Sequence, residues 1–337
     1  MKRRIFLKTI LKFLRGLIRY KIGKPQPLIA QWEITFNCNF KCKFCNVWRN
    51  KCNKGRELTL HNIKSIIDQL DKAGIVWITF TGGEPLLKKN FHEIVKYCNE
   101  KGIITLMNEN GSLLNHELPG LKDYLNTVSI SLDSPNEKIN DDIRGFKGAF
   151  KRVLNSASES KEQINTVINM TVTSKSLKDM EKMAVLCKKN DLKVMFTPVS
   201  VIPNEGYETT NAKSVQLNPE KYYDLVFKLS KKYGNVVFLR PYMELVKNGG
   251  ISKNNFLCKS AKLMLNIKPN GDIVYPCGYF PVKRFSTEEI SIKDIVHDSK
   301  DFHNRYFNFC DGCTLACFLI PSIVVDNILE FIKFSKR

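Results

Sequence analysis

Three cysteines near the start of the chain have the residue type and the spacing of a metal centre. Cys38, Cys42 and Cys45 fall within eight residues, so one loop can present all three thiolates to the same centre. A cubane iron–sulfur cluster takes four ligands, and so does a structural zinc ion. Zinc could recruit Cys52 or His61 as its fourth ligand, whereas a cluster with one open iron could bind a substrate directly. The spacing therefore predicts a metal centre and leaves these two chemistries open.

A second group of cysteines lies in the C-terminal part of the chain. Cys258 and Cys277 flank a segment that predicts a β-hairpin with its turn at Asn270-Gly271. A hairpin brings the residues on its two sides together, and three further cysteines follow it: Cys310, Cys313 and Cys317. Four thiolates satisfy zinc as well as an iron–sulfur cluster, so this group predicts a second metal centre of either kind.

The composition restricts the compartment and the partners. The chain has 337 residues, a net charge of +20 and eleven cysteines. No uninterrupted apolar segment of a secretion signal opens the sequence, so we expect reduced thiols and a cytoplasmic location. Much of the positive charge is local and no nucleic-acid-binding motif accompanies it. We therefore do not expect nucleic acid as a partner.

The elements that must position the first cysteines follow a regular alternation. Short β-branched or aromatic segments alternate with amphipathic stretches, which is typical of βα units around a parallel sheet. The predicted strands are Ala30–Phe36, Val76–Phe80, Ile103–Met107, Thr127–Leu132, Asn165–Thr171 and Lys193–Thr197. The predicted helices include Leu60–Ala73, Phe91–Lys101, Phe150–Ser160, Leu177–Lys189 and Pro219–Lys232. Six units are fewer than the eight of a closed barrel, so we expect an open one.

The predicted fold class is α/β, a partial (β/α)6 TIM-like barrel with a small C-terminal cysteine-rich domain. The domains are expected at residues 1–25 (a basic amphipathic helix), 26–235 (the barrel), 240–320 (the cysteine-rich domain) and 321–337 (a C-terminal helix). Unusual residues follow the first four strands: the three cysteines, then Gly82-Gly83-Glu84-Pro85, then Asn110-Gly111, and finally Ser131 with Asp133. Barrel enzymes carry their active sites at this end of their strands.

The three-residue and then two-residue spacing of Cys38, Cys42 and Cys45, directly after the first strand of a βα series, resembles the signature of the radical S-adenosylmethionine superfamily. The resemblance extends over residues 30 to about 200, where the supporting motifs occur in the expected order. It implies reductive cleavage of S-adenosylmethionine at a [4Fe–4S] cluster and hydrogen abstraction from a substrate by a 5′-deoxyadenosyl radical. The three cysteines would ligate three irons, and the amino and carboxylate groups of S-adenosylmethionine the fourth.

The resemblance also implies which residues contact S-adenosylmethionine: Phe44, Gly82, Gly83, Glu84, Asn110, Ser131, Asp133 and Arg144. Phe44 would lie against adenine, and the glycine-rich turn would supply an acceptor for the ammonium group at Glu84. Ser131 and Asp133 would meet the ribose or the methionine part, and Arg144 would pair with the carboxylate. Ordinary turn and cap chemistry is the alternative for Asn110, Gly111, Ser131, Asp133 and Arg144.

The C-terminal cysteines resemble the auxiliary-cluster domain called twitch, the short form of the SPASM domain. This implies one auxiliary [4Fe–4S] cluster held by Cys258, Cys277, Cys310 and Cys313, with Cys317 as the substitute. The step from Gly271 to Cys277 is one residue longer than is usual in the family, and the five cysteines are fewer than in full SPASM domains. Zinc remains the alternative at this site.

Residues 2–19 predict a basic amphipathic helix. Residues 1–32 contain nine Lys or Arg and no acid. Four of the basic residues recur at helical spacing, namely Lys8, Lys12, Arg15 and Arg19, opposite an apolar side formed by Phe6, Ile10, Phe13, Leu14 and Leu17. The apolar runs are too short to span a bilayer. The helix could lie on an anionic membrane surface, or it could pack on its own domain with a solvated lysine face.

We therefore expect a radical S-adenosylmethionine enzyme that acts on a peptide, a lipid or another small molecule. It would receive electrons from a donor such as flavodoxin or ferredoxin. A function of a different class stays open as the alternative: a non-catalytic zinc protein that associates with membrane or nucleic acid through its basic N-terminus.

Overall fold

The computed structural model describes residues 3–45, 47–49, 57–199, 217–250, 258–277, 281–287, 291–292, 294, 313, 320, 322–323 and 325–326. Three cysteines of the sequence analysis lie outside these residues, namely Cys52, Cys310 and Cys317. Most of the predicted C-terminal helix 321–337 lies outside them as well.

The described residues form one sheet surrounded by helices. The strands are β1 (Ile29–Thr35), β2 (Trp77–Gly82), β3 (Ile104–Glu109), β4 (Thr127–Ser131), β5 (Asn165–Val172), β6 (Lys193–Pro198), β7 (Met264–Ile267), β8 (Ile273–Pro276) and β9 (Pro281–Phe285). The helices are α1 (Arg3–Lys21), α2 (Leu60–Ala73), α3 (Phe91–Glu100), α4 (Leu114–Leu121), α5 (Glu137–Arg144), α6 (Ala149–Ser160), α7 (Met180–Lys189), α8 (Pro219–Lys232), α9 (Arg240–Lys247) and α10 (Ser260–Leu263).

The strand order confirms the predicted open barrel. Within the described part of the chain the order is β6-β5-β4-β3-β2-β1-β7-β8-β9. Strands β1 to β6 pair in parallel, each with the next along the chain, and all six were predicted within two residues of their bounds. Helices return the chain between most of these strands, as a parallel sheet requires.

The C-terminal hairpin extends the same sheet. β7 pairs in parallel with β1, and β8 and β9 then continue antiparallel. The predicted turn at Asn270-Gly271 is confirmed, because Gly271 adopts a φ of 88° between β7 and β8. The hairpin therefore lies beside the strand that leads into the first cysteines.

The two faces of the sheet differ in polarity. On the face that packs against the helices, β1 contributes Ala30, Trp32 and Ile34, all buried in the main core. The opposite face, here called the inner face, carries half-buried polar side chains aligned across neighbouring strands, such as Gln31 beside Thr79. Side chains alternate between the two faces of a strand, so each strand carries both surfaces.

Helix α1 packs across the ends where the strands begin. The Thr9 hydroxyl donates to the Gly102 carbonyl at 2.6 Å, just before β3, and Lys12 forms an ion pair with Asp71 at the end of α2. Gly16 lies against Leu28, which precedes β1. One side of α1 therefore packs on its own domain, and Lys12 faces the domain and not solvent. Among the described helices, none is both long enough and apolar enough to cross a membrane.

Candidate functional site

The three cysteines follow β1 on a loop, residues 36–45, here called the cysteine loop. Cys38, Cys42 and Cys45 share one small hydrophobic cluster with Phe40 and Phe44. Phe40 is fully buried and anchors the loop, because its ring stacks on Phe146 with centroids 4.4 Å apart. The structure thus brings the three predicted ligands together at the carboxyl end of β1. Within the described residues, no three Cys, His, Asp or Glu side chains converge as ligands of one bare ion would.

The glycine-rich turn after β2 holds the start of the cysteine loop. A Cβ on Gly83 would lie 2.0 Å from the Asn37 carbonyl oxygen, and Gly82 has a φ of 124°. The amide of Gly83 donates to Thr35 at 2.9 Å, and the amide of Glu84 donates to Asn37 at 2.7 Å. The close approach that requires glycine is therefore made to the chain's own backbone.

Glu84 connects this turn to the end of β3. Its side chain is fully buried, and its two carboxylate oxygens accept from the amides of Leu86 at 3.1 Å and Asn110 at 2.9 Å. Burial raises the pKa of the Glu84 carboxyl to about 7. The sequence analysis expected this carboxylate to accept from an ammonium group. In the structure each of its oxygens accepts from one backbone amide, and the contact with an ammonium group stays a prediction.

A second buried carboxylate, Glu109, was not predicted from the sequence. One of its oxygens accepts from the Gly111 amide at 2.6 Å, whereas Oε1 has no hydrogen-bond partner among the described residues. Burial, and then repulsion by Glu84, raise the pKa of the Glu109 carboxyl well above its usual value. The one sequence feature that could have identified Glu109 is its position as the last residue of β3, directly before Asn110-Gly111.

Asn110 connects the end of β3 to the cysteine loop. Its side-chain amide donates to the Asn39 side chain at 2.9 Å, and Asn39 in turn donates to the Ser112 hydroxyl at 2.9 Å. Asn39 lies directly after Cys38. The Asn-Gly turn thus positions the loop, and Gly111 has the φ of 79° that such a turn needs.

Asp133 and Arg144 form a buried ion pair beside the thiols. The Arg144 guanidinium donates to Asp133 at 3.1 Å, and the other Asp133 oxygen accepts from the Thr171 amide at 2.9 Å. Burial raises the pKa of the Cys42 and Cys45 thiols, and the positive charge of Arg144 opposes this rise. The guanidinium therefore favours thiolates, the form in which cysteine binds iron or zinc. Ser131 lies at the end of β4 on the inner face, where its carbonyl oxygen is 3.5 Å from Arg144.

Three buried polar atoms at this end of the sheet have no hydrogen-bond partner among the described residues: Glu109 Oε1, Asn140 Nδ2 and Arg144 Nε. Buried polar atoms are nearly always paired, and these three would gain partners from a bound molecule, an ion or water. One acceptor and two donors suit a ligand with both an amino group and a carboxylate. Together with three thiols for iron, these residues fit a cluster and an amino-acid-bearing cofactor.

Two of the C-terminal cysteines, Cys258 and Cys277, lie at the other end of the sheet. Cys258 precedes α10 and β7, and Cys277 directly follows β8, which runs back to the start of β7. Because β7 is parallel to β1, both residues lie towards the end where β1 begins. Cys258 and Cys313 are half-buried against the main core. The two other predicted ligands of this group lie outside the described residues.

Known proteins resemble this chain over most of its length. The AdoMet-dependent heme synthase of Nitratidesulfovibrio vulgaris is 29% identical, over 86% of this chain and 88% of the synthase. The mycofactocin maturase MftC of Mycobacterium tuberculosis is 25% identical, over 79% of this chain and 68% of the maturase. The crystal structure of SuiB from Streptococcus suis bound to the precursor peptide SuiA superposes with a TM-score of 0.66 at 20% identity, and the match covers 90% of this chain and 74% of SuiB.

The family match lies within the residues of the barrel. Residues 32–187 match the family model of the Radical SAM superfamily, a span that begins in β1 and includes the cysteine loop, the turn after β2 and the Asp133–Arg144 pair. SuiB also superposes, with a TM-score of 0.68, in the crystal structure that contains S-adenosylmethionine. Residues 32–187 therefore form a Radical SAM domain, and the chain is an enzyme of the kind that uses a [4Fe–4S] cluster and S-adenosylmethionine.

Proposed function

We propose that this enzyme holds its catalytic [4Fe–4S] cluster at Cys38, Cys42 and Cys45 and abstracts hydrogen from a peptide. The observation that carries the assignment is the gathering of the three thiols at the carboxyl end of a parallel sheet, beside the buried cation of Arg144. When bound, the cluster and S-adenosylmethionine supply a 5′-deoxyadenosyl radical. The residues described here bind and orient those groups.

We assign the contacts to S-adenosylmethionine to residues around the cysteine loop: Phe44, Gly82, Gly83, Asn110, Ser131, Asp133 and Arg144. Arg144 is the best-supported of them, because its Nε is buried without a partner among the described residues and an arginine fork suits a carboxylate. Glu84 is a positioning residue: both its oxygens accept from backbone amides, and these hydrogen bonds hold the turn after β2 against the end of β3. The unpaired oxygen of Glu109 takes over the acceptor role expected for Glu84.

The peptide assignment rests on the inner face. This surface presents amides and hydroxyls that suit the hydrogen-bonding groups of a peptide backbone: Gln31, Thr79, Thr81, Asn108, Asn169, Thr171 and Thr197. An ion pair between Glu33 and Lys268, 2.6 Å apart, adds charge to the same surface. SuiB, which superposes on this chain, has been crystallised with its precursor peptide.

A tetrapyrrole is the second candidate substrate, because a heme synthase is 29% identical to this chain. A macrocycle has broad apolar faces, and the inner face offers it Leu106, Val167 and Met195 between the polar side chains that suit a peptide. The lipid expected as an alternative in the sequence analysis has no support on this surface. Formation of 5′-deoxyadenosine above the substrate-free rate, with a peptide pool in one reaction and iron coproporphyrin in another, distinguishes the first two candidates.

We further propose one auxiliary [4Fe–4S] cluster, with Cys258, Cys277 and Cys313 as ligands and either Cys310 or Cys317 as the fourth. Zinc is the alternative occupant, since four thiolates suit it equally. A flavodoxin or a ferredoxin would deliver the electron in the cytoplasm. Residues 2–19 would provide a peripheral membrane contact.

The decisive experiment is anaerobic purification with quantification of iron, sulfide and zinc, followed by dithionite, S-adenosylmethionine and an assay for 5′-deoxyadenosine. We expect product from the wild type and none from Cys42→Ala. Cys187→Ala is the matched control, because Cys187 is buried in the core, away from the cysteine loop. A colourless zinc protein that forms no product after reconstitution would establish the non-catalytic alternative.

A further inference from the structure

The side of α1 that faces away from the barrel is apolar. Five large aliphatic residues follow one another at helical spacing along the helix and the turn after it: Leu7, Leu11, Leu14, Ile18 and Ile22, here called the apolar stripe. Their side chains are 56%, 58%, 46%, 62% and 62% exposed. Scattered exposed aliphatic residues are ordinary on protein surfaces, whereas a contiguous row of five marks an interaction surface.

The apolar stripe is distinct from the face that holds α1 in place. Phe13, Leu17 and Tyr20 pack into a core cluster with Leu28 and Val76, on the opposite side of the helix. Thr9, Lys12 and Gly16 make the remaining contacts to the barrel. The helix therefore has two apolar faces, one docked and one exposed. The sequence pattern predicts a single apolar side that includes Phe13, Leu14 and Leu17, whereas in the structure Leu14 lies on the exposed face and the other two on the docked face.

Positive charge accompanies the apolar stripe. Arg15, Lys21 and Lys24 are exposed on or beside α1, Lys8 is exposed and forms an ion pair with Asp71, and residues 1–32 contain no acid. Cations next to a row of leucine and isoleucine complement the surface of an anionic bilayer, where phosphate groups lie directly above hydrocarbon. No acidic side chain in this segment would repel that surface.

The position of the stripe fixes the orientation of the enzyme. Residues in contact with α1 precede β1, β2, β3 and β7, namely Leu28, Val76, Gly102 and Leu263. The cysteine loop lies at the opposite end of the strands. β1 has seven residues, which separates the two ends by roughly 20 Å.

We propose that the apolar stripe inserts into the headgroup region of an anionic bilayer, so that the cysteine loop faces the aqueous side. The inference deepens the proposed function, and it rests on that function only where it takes the cysteine loop as the active site. On this geometry the substrate and the electron donor arrive from solution. A substrate embedded in the same bilayer would lie at the wrong end of the barrel.

The test uses full-length reconstituted enzyme and flotation with vesicles of phosphatidylcholine, with and without phosphatidylglycerol. We expect the wild type to float with the anionic vesicles and salt to weaken this binding. Leu11→Glu combined with Ile18→Glu should reduce the bound fraction roughly tenfold or more, because two aliphatic side chains that insert into the bilayer are replaced by carboxylates. Ile139→Glu is the matched control, since Ile139 is 49% exposed on α5, and its binding should equal that of the wild type.

Three results would overturn the proposal. The double variant could float as well as the wild type. The wild type could self-associate through the stripe, with light scattering showing a dimer that the double variant lacks, while vesicles bind neither protein. Hydrogen exchange on vesicles could show protection at residues 38–45 and not at residues 7–22. Formation of 5′-deoxyadenosine without vesicles should be equal in all three proteins, so loss of the proposed enzymatic function would be recognised separately.

Discussion

Arg144 and two buried carboxylates determine the charge around the cysteine loop. The Arg144 guanidinium faces Asp133 and all three thiols, whereas Glu84 and Glu109 are buried near each other and the same guanidinium. Two carboxylates in one buried site cannot both ionise easily, so the pair retains a proton to a higher pH than isolated acids do. A cation bound nearby would favour release of that proton.

Glu84 and Glu109 should make the free energy of unfolding depend on pH. The folded state raises the pKa of both carboxyls above the ordinary value of 4.5, that of Glu84 to about 7. The folded protein therefore binds more protons than the unfolded chain, and its free energy of unfolding should fall as the pH rises from about 4.5 through 7 and beyond. Glu109→Gln should flatten this dependence and make the protein more stable than the wild type at pH 8.

Urea unfolding at pH 5 and pH 8 measures the effect. Glu162→Gln serves as the matched control, because the Glu162 side chain is 72% exposed, and it should leave the pH dependence unchanged. A wild-type free energy of unfolding that rises between pH 5 and 8, or a Glu109→Gln protein with the wild-type slope, would contradict the assignment.

The sequence identified part of this residue set. Cys38, Cys42 and Cys45 and the turns after β2 and β3 could be recognised by type and spacing, and the structure brings them together. Glu109 could not be recognised, because one acid at a strand end carries no spacing signal. The actual partners of Glu84 also depend on a contact between two strand ends, which no local pattern contains.

The turn after β2 contacts the start of the cysteine loop and holds it in position. Gly83→Ala would place a Cβ 2.0 Å from the Asn37 carbonyl, and backbone atoms must move to relieve that contact. We expect the variant to fold but to lose most of its catalytic iron and its 5′-deoxyadenosine formation, because Asn37 directly precedes Cys38. Gly234→Ala is the control, since nothing lies within 4 Å of the added atom. Full iron content in Gly83→Ala would show that this contact is dispensable.

The sequence predicted long elements better than short ones. The six parallel strands and α2, α3, α6, α7 and α8 follow clear apolar periodicity, and they were found close to their observed bounds. Helices α4, α5, α9 and α10 were not predicted. α4 contains Pro119, and α5 is mostly polar, with its two isoleucines exposed (Ile139) and half-buried (Ile143). α5 is instead specified by its ends, with Asn136 as the N-cap and Gly145 in the left-handed conformation after it.

Cys38, Cys42 and Cys45 follow the carboxyl end of β1, whereas Cys258 and Cys277 lie towards the end where β1 begins. Cys258→Ala combined with Cys277→Ala should therefore reduce the iron content from about eight to about four atoms per chain and preserve reductive cleavage of S-adenosylmethionine. Iron, zinc and 5′-deoxyadenosine measurements on the reconstituted protein test this. Unchanged iron with loss of zinc would assign zinc to the C-terminal site, and loss of all iron would refute the independence of the two sites.

The pairing of β7 with β1 has a consequence for how such a chain can evolve. β1 leads directly into the cysteine loop and is hydrogen-bonded on both sides, to β2 and to β7, a strand more than 200 residues later. Removal of the C-terminal segment would leave β1 with an unpaired edge, and exposed edges template aggregation. The C-terminal segment therefore protects an edge of the catalytic sheet next to the cysteine loop. A lineage could lose its cysteines by substitution far more readily than it could lose the segment by truncation.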